Sequence, residues 1–133
     1  MSEPTPVEVT RTGDHRFTAT NGRGGRVEIG PDGAPDTFTP GELLLAAIAG
    51  CSALTGENLL VRRLGEDAAI TFTADRDKPP DDPHRFAEVT VRAEFDGVLD
   101  ERLLAAVERA IERYCTVSRS VAEGTPIRLE LPR

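Results

Sequence analysis

Residues 38–65 read FTPGELLLAAIAGCSALTGENLLVRRLG, and this stretch decides the fold. Its start carries the marks of a helix N-terminus. Thr39 can cap it, Pro40 suits the first helical position because its missing N–H would be unpaired there, and Glu42 closes a capping box. Phe38 and Leu43 are spaced as a hydrophobic staple across that cap. From Leu43 to Thr55 there is no charge, and apolar or small residues occupy nearly every side of the cylinder, which predicts a helix buried all round. Glu57, Arg62 and Arg63 bring charge back, and Gly65 is placed as a C-cap. The apolar run reads as too short and too rich in small residues to span a bilayer. A central helix wrapped by the rest of the chain or by a second subunit, sheltering the thiol of Cys51, is therefore expected.

A chain of 133 residues is long enough to bury one core, so a single domain over residues 1–133 is expected. Its net charge of −7 and pI near 4.8 argue against a nucleic-acid partner, which needs a clustered positive face. The early arginines 11, 16, 23 and 26 are diluted by neighbouring acids. MSEPTPVEVT at the N-terminus has neither a basic start nor an apolar run, so no signal peptide is expected and the cytoplasm is the default location. In such a reducing compartment, two cysteines are either inert core residues or a redox couple. His15, His84 and two cysteines 64 positions apart show none of the short spacings of zinc sites, so no metal is expected.

On the N-terminal side of the helix, apolar and polar residues alternate: Val7 and Val9 with Glu8 and Thr10, Phe17 and Ala19 with Thr18, Val27 and Ile29 with Glu28. Turns at Gly13-Asp14 and Asn21-Gly22 make this an antiparallel meander. NGRGGR at 21–26 lacks the ending of a phosphate loop and leads into no helix, so it reads as a glycine-rich hairpin turn. On the C-terminal side, Ile70, Phe72 and Ala74, then Val89, Val91, Ala93 and Phe95, predict a hairpin with the proline-rich segment 76–85 at its tip. Asp100 caps a second helix with an apolar stripe of Leu103, Leu104, Val107, Ile111 and Tyr114, and Cys115 extends its buried face. TVSRSVAEG predicts a short helical turn ended by Gly124, and Ile127, Leu129 and Leu131 predict a final strand. The class is α+β with a mainly antiparallel sheet.

Read from the residues alone, Cys51 has two accounts. Cysteine is often inert packing, yet Gly50 and Ser52 leave room for a substrate to approach the sulfur. Each helix places its thiol on the buried side, so Cys51 and Cys115 have the option of meeting. Arg23 near a thiol would lower its pKa, whereas a turn arginine is ordinarily solvated. Glu42 is explained by the capping box, Tyr114 by core packing, and the two histidines by exposed turn and loop.

TPGELLLAAIAGC with its cysteine inside the helix, YCTVSRSV further on, and the early TATNGRGGRV turn together resemble the OsmC/Ohr family of osmotically inducible and organic hydroperoxide resistance proteins. The resemblance covers nearly the whole chain. It implies the OsmC-like fold as an intertwined homodimer, with long buried central helices inside and sheets outside. It further implies a thiol peroxidase that reduces organic hydroperoxides, with Cys51 as peroxidatic and Cys115 as resolving cysteine, and a dithiol reductant such as a lipoylated protein. Arg23 matches the arginine that stabilises the reactive thiolate in the family. No cofactor, metal, nucleic acid or membrane is implied. Where the peroxidase branches carry a glutamate that pairs with this arginine, the sequence has Gly41, and the acid follows one position on as Glu42, a possible partner for Arg23. Thr116 stands where the family often has proline, so the chain is closer to the OsmC-like branch. The alternative function is a non-catalytic OsmC-like dimer that binds a small apolar ligand or acts as a redox sensor.

Overall fold

Alternating apolar residues and two tight turns build the first part of the structure. Strands β1 (Glu8–Gly13), β2 (Arg16–Thr20) and β3 (Arg26–Ile29) form an antiparallel meander in the order β1-β2-β3. This computed structural model describes residues 6–132; the opening MSEPT, part of the stretch read as free of a signal peptide, lies outside the described residues. The pairing sets Val9 opposite Ala19, Ala19 opposite Val27, and Phe17 opposite Ile29, so one face of the sheet is apolar. The first turn falls at Asp14-His15, one residue later than expected, with the register shift at Arg11/Gly13 and His15 at positive φ. The second falls as expected at Asn21, whose Oδ1 accepts from the amides of Arg23 and Gly25, while Gly22 and Gly24 take the left-handed conformations that this turn needs.

After β3 the chain doubles back. The Gly30 amide donates to the Phe38 carbonyl and the Phe38 amide to that of Glu28, which seats the residues leading into the long helix. Helix α1 runs Pro40–Leu64, starting at Pro40 with Glu42 in its first turn and ending with Arg62 and Arg63 in its last, as expected. The Thr39 amide donates to Glu42 Oε1 at 2.8 Å and the Glu42 amide to Thr39 Oγ1 at 3.1 Å, a complete capping box. At the other end the Gly65 amide donates to the Val61 carbonyl.

For α1, cover from this chain is one-sided, and the expectation drawn from length is corrected. The chain covers one face of it, the stripe Ile48, Ser52, Gly56 and Leu60 with Ala49 alongside, while Leu44 is exposed and Leu54 is 77% exposed. An apolar circumference is a statement about composition, and burial needs neighbours on every side; within this chain they come from one side only. The helix is also 25 residues long, enough by length and composition to cross a membrane, so the length argument against a span fails; core helices of water-soluble proteins pass the same test.

The chain divides within α1, at Leu44/Leu45, into two compact units. In the second, strands β4 (Ile70–Asp77) and β5 (Glu88–Phe95) form the expected hairpin. Helix α2 (Glu101–Tyr114) starts at Asp100, whose carboxylate accepts from the Leu103 amide at 2.8 Å. The core of this unit is Leu60, Leu99 and Val107, with Leu59, Phe72, Phe95, Leu103 and Ile111 packed against it. Gly56 marks where α1 meets α2: a Cβ there would lie 3.4 Å from Val107 Cγ1 and 3.6 Å from Ile111 Cδ1, in ordinary contact with both. Helix α3 (Thr116–Glu123) follows and ends at Gly124, as expected.

Two further expectations fail in this unit. Tyr114 does not pack on the core: it is 65% exposed, with the Arg113 guanidinium over its ring. The final strand does not form. Ile127, Leu129 and Leu131 have the alternation of a strand but no strand beside them, and Ile127 is 96% exposed. Alternation supplies the face of a strand, whereas the ladder hydrogen bonds must come from a neighbour.

Candidate active site

Two of the four residues singled out from the sequence are brought together. Ser52 belongs to the buried stripe of α1, and Cys51, about 100° around the cylinder, is half-buried. Cys115 sits at the joint of two helices, closing α2 and opening α3. Its amide donates to the Ile111 carbonyl and its own carbonyl accepts from the Arg119 amide, both at 3.0 Å. The backbone is thus held on both sides, and the side chain is fully buried. Its thiol donates to Ser118 Oγ at 3.2 Å, and Cys51 and Ser52 on α1 lie close enough to ease its ionisation. Both cysteines are free thiols.

Burial alone pushes the Cys115 thiol up, but hydrogen bonds from Cys51, Ser118 and Ser52 outweigh it and hold the thiol below its ordinary value. The Ser118 backbone amide adds to this effect without making a cap hydrogen bond. The arrangement therefore eases ionisation of a buried thiol near a second, more accessible one. That is the chemistry of a dithiol couple, in which one sulfur meets reagents and the other waits behind it.

Arg23 and Glu42 lie in the first unit. Arg23 is exposed in the Asn21 turn, and the Glu42 carboxylate is engaged in the capping box. Among the described residues, no ion pair joins them. His15 and His84 are exposed, as expected. Beside Ser52 in the second unit lies a cavity of about 320 Å³, walled mainly by Phe72, Val91, Phe95, Leu104 and Ile111.

Two residues of the site were not assigned a role from the sequence. From the sequence Ser52 reads only as a small neighbour of Cys51, and Ser118 carries no assigned role. A signal for Ser118 exists: a cysteine at a helix N-cap faces the third helical residue, so a hydroxyl three positions after such a cysteine falls beside the sulfur.

The family model described as "OsmC-like protein" matches residues 32–130. An uncharacterized protein of Mycobacterium bovis and one of Mycobacterium tuberculosis are each 37% identical over 96% of this chain and 96% of their own length. Among solved structures, a hypothetical protein from Aquifex aeolicus is similar with a TM-score of 0.68, at 25% identity over 96% of this chain and 93% of that one. An OsmC-like protein from Mycoplasma pneumoniae gives 0.67 at 17% identity over 92% and 89%. The organic hydroperoxide resistance protein OhrB of Bacillus subtilis gives 0.58 at 22% identity over 96% and 98%.

Proposed function

The chain belongs to the OsmC-like protein family, and from that premise we propose that it is a cytoplasmic thiol peroxidase, working as a homodimer, that reduces organic hydroperoxides to alcohols. The observation that carries this reading is the thiol pair, with Cys51 partly accessible on α1 and Cys115 buried near it. In the first step the Cys51 thiolate attacks the O–O bond. One oxygen stays on sulfur as sulfenic acid, and the other leaves as alkoxide and is protonated to the alcohol. In the second, the Cys115 thiolate attacks the sulfenic sulfur; the S–S bond forms, the S–O bond breaks, and hydroxide leaves as water. A dithiol, such as the lipoyl group of a lipoylated protein, then returns both cysteines to thiols and is itself oxidised to a disulfide.

Arg23 is assigned to thiolate stabilisation by its match to the family arginine, and Glu42 as its partner, a role that competes with the capping box. The homodimer reading draws support from the apolar positions that this chain leaves uncovered on α1 and in the C-terminal segment.

The test is consumption of tert-butyl hydroperoxide and hydrogen peroxide with a lipoyl reductant. Fast turnover of the organic substrate is expected, abolished in Cys51→Ser, stalled after one turnover in Cys115→Ser, and slowed by roughly tenfold or more in Arg23→Ala. No turnover by the wild-type protein with either peroxide sinks the reading. A second reading, a non-catalytic binder of a small apolar ligand, is favoured by the apolar cavity beside Ser52. Inert cysteines together with saturable binding of an apolar fluorophore displaced by Val91→Trp would select it.

A further inference from the structure

The buried sulfur of Cys115 is held from two elements at once. Ser118, on the first turn of α3, has its Oγ 3.2 Å from the sulfur. Ser52, on α1, is only 3% exposed and lies near the same sulfur from the other element. A buried hydroxyl in a helix ordinarily turns back to a carbonyl of its own helix. Here the Ser118 hydroxyl meets a sulfur that the chain has removed from water, with Ser52 beside it.

We propose that Ser118, with Ser52 beside it, is a positioning residue for Cys115: the hydroxyls form a cradle that takes a hydrogen bond from its thiol and returns one to the sulfur when the proton leaves, and so set the rate at which the disulfide with Cys51 closes. The proposal rests on the peroxidase reading for its role in turnover, and its first test does not. In the resting pair the Cys115 thiol donates to Ser118 Oγ; when the proton leaves, the hydroxyl reverses and donates to the anion, because a serine can do either. Hydrogen bonds to a charged acceptor are stronger than those to a neutral one, so the cradle favours the ionised form. The groups facing the sulfur are few. Cys51 from α1 is the titratable one, and the others are the two hydroxyls and the Ser118 amide. Of the flanking arginines, both exposed, Arg119 donates to the Arg113 carbonyl instead.

For the closing step the electrons balance without a further reagent. The sulfur of the Cys51 sulfenic acid is reduced, the Cys115 sulfur is oxidised to the same level, and hydroxide departs. A thiol whose ionisation is eased by the cradle gives up its proton more readily for that step.

The test uses the full chain with Cys51→Ser, so that Cys115 is the one remaining thiol, and follows thiolate absorbance near 240 nm against pH. Ser118→Ala in this background should move the midpoint upward, and Ser118→Thr, which keeps the hydroxyl, should bring it back. Should Ser118→Ala loosen α3, Ser52→Ala provides the same reading within a helix that alanine suits. A midpoint that stays put in both alanine variants overturns the proposal. In the two-cysteine protein, with one equivalent of tert-butyl hydroperoxide, Ser118→Ala should slow disulfide closure about tenfold more than sulfenic acid formation near neutral pH, and raising the pH should recover it. Closure that is equally slow at every pH would mean that the serine only holds the fold, and it overturns the role in turnover. If no sulfenic acid forms even in the wild type, the peroxidase reading fails, while the titration still decides the cradle.

Discussion

At the scale of single residues, Cys115 owes its character to what surrounds it rather than to its place in the sequence. Burial disfavours its charge, and the hydrogen bonds from Cys51, Ser118 and Ser52 more than offset that cost. The consequence for stability has a definite sign. The folded thiol is held below the ordinary value of 9.0, so between its folded midpoint and about pH 9 the unfolded chain binds more protons, and stability rises with pH. The contribution is complete above the unfolded value and is lost as the pH falls through the folded midpoint. In urea titrations of the reduced protein, wild type should therefore gain stability over Cys115→Ala as the pH climbs from 7 toward 9, and the gain should level off above that. A constant difference across this range would mean that the thiol is not depressed. None of this was legible in the sequence. The spacing gave two thiols on the buried sides of two helices, but their meeting depends on how α1 and α2 pack, and Ser118 gained meaning only once α3 began at Cys115.

Elements were far more legible, and the reason is range. The capping box at Thr39 and Glu42, the Asp100 cap, the Gly65 and Gly124 stops and the Asn21 turn are all closed by groups within five residues of each other. Features that need a distant partner were misread. The strand expected at Ile127–Leu131 lacks a ladder, and Tyr114 lacks a surface to cover it. The contact between α1 and α2 at Gly56 lies between these cases, since nothing local requires that glycine. A methyl there meets Val107 and Ile111 at ordinary van der Waals distance, so Gly56→Ala should stabilise the protein by about 0.5–1 kcal/mol through helix propensity. Gly56→Leu overfills the same contact and should cost about 1–3 kcal/mol. It should also slow formation of the Cys51–Cys115 disulfide by diamide, because the helices that carry the two thiols are pushed apart. Urea titration measures the first two effects, and thiol counting the third.

For the whole molecule, the telling quantity is the apolar surface the chain leaves in water. Single exposed apolar residues are ordinary, but Leu44 and Leu54 on α1, Val9 and Phe17 on the first sheet, and Ile127, Leu129 and Leu131 together exceed that pattern. An apolar helix side and an unpaired alternating segment are what a second copy would complete, which is the basis of the dimer reading. Leu54→Glu tests it. On a monomer this exposed substitution would shift stability by no more than about 0.5 kcal/mol, whereas at an interface it buries a charge, and sedimentation velocity should show a dimer for wild type and a monomer for the variant. The C-terminal segment has a consequence for handling as well. Arg128 stands in the middle of it, exposed, with an ion pair to Glu130 as its one side-chain partner among the described residues. A protease needs extended, unpaired backbone, so trypsin should clip after Arg128 quickly in dilute samples and slowly in concentrated ones, and the length of the intact chain would serve as a gauge of assembly.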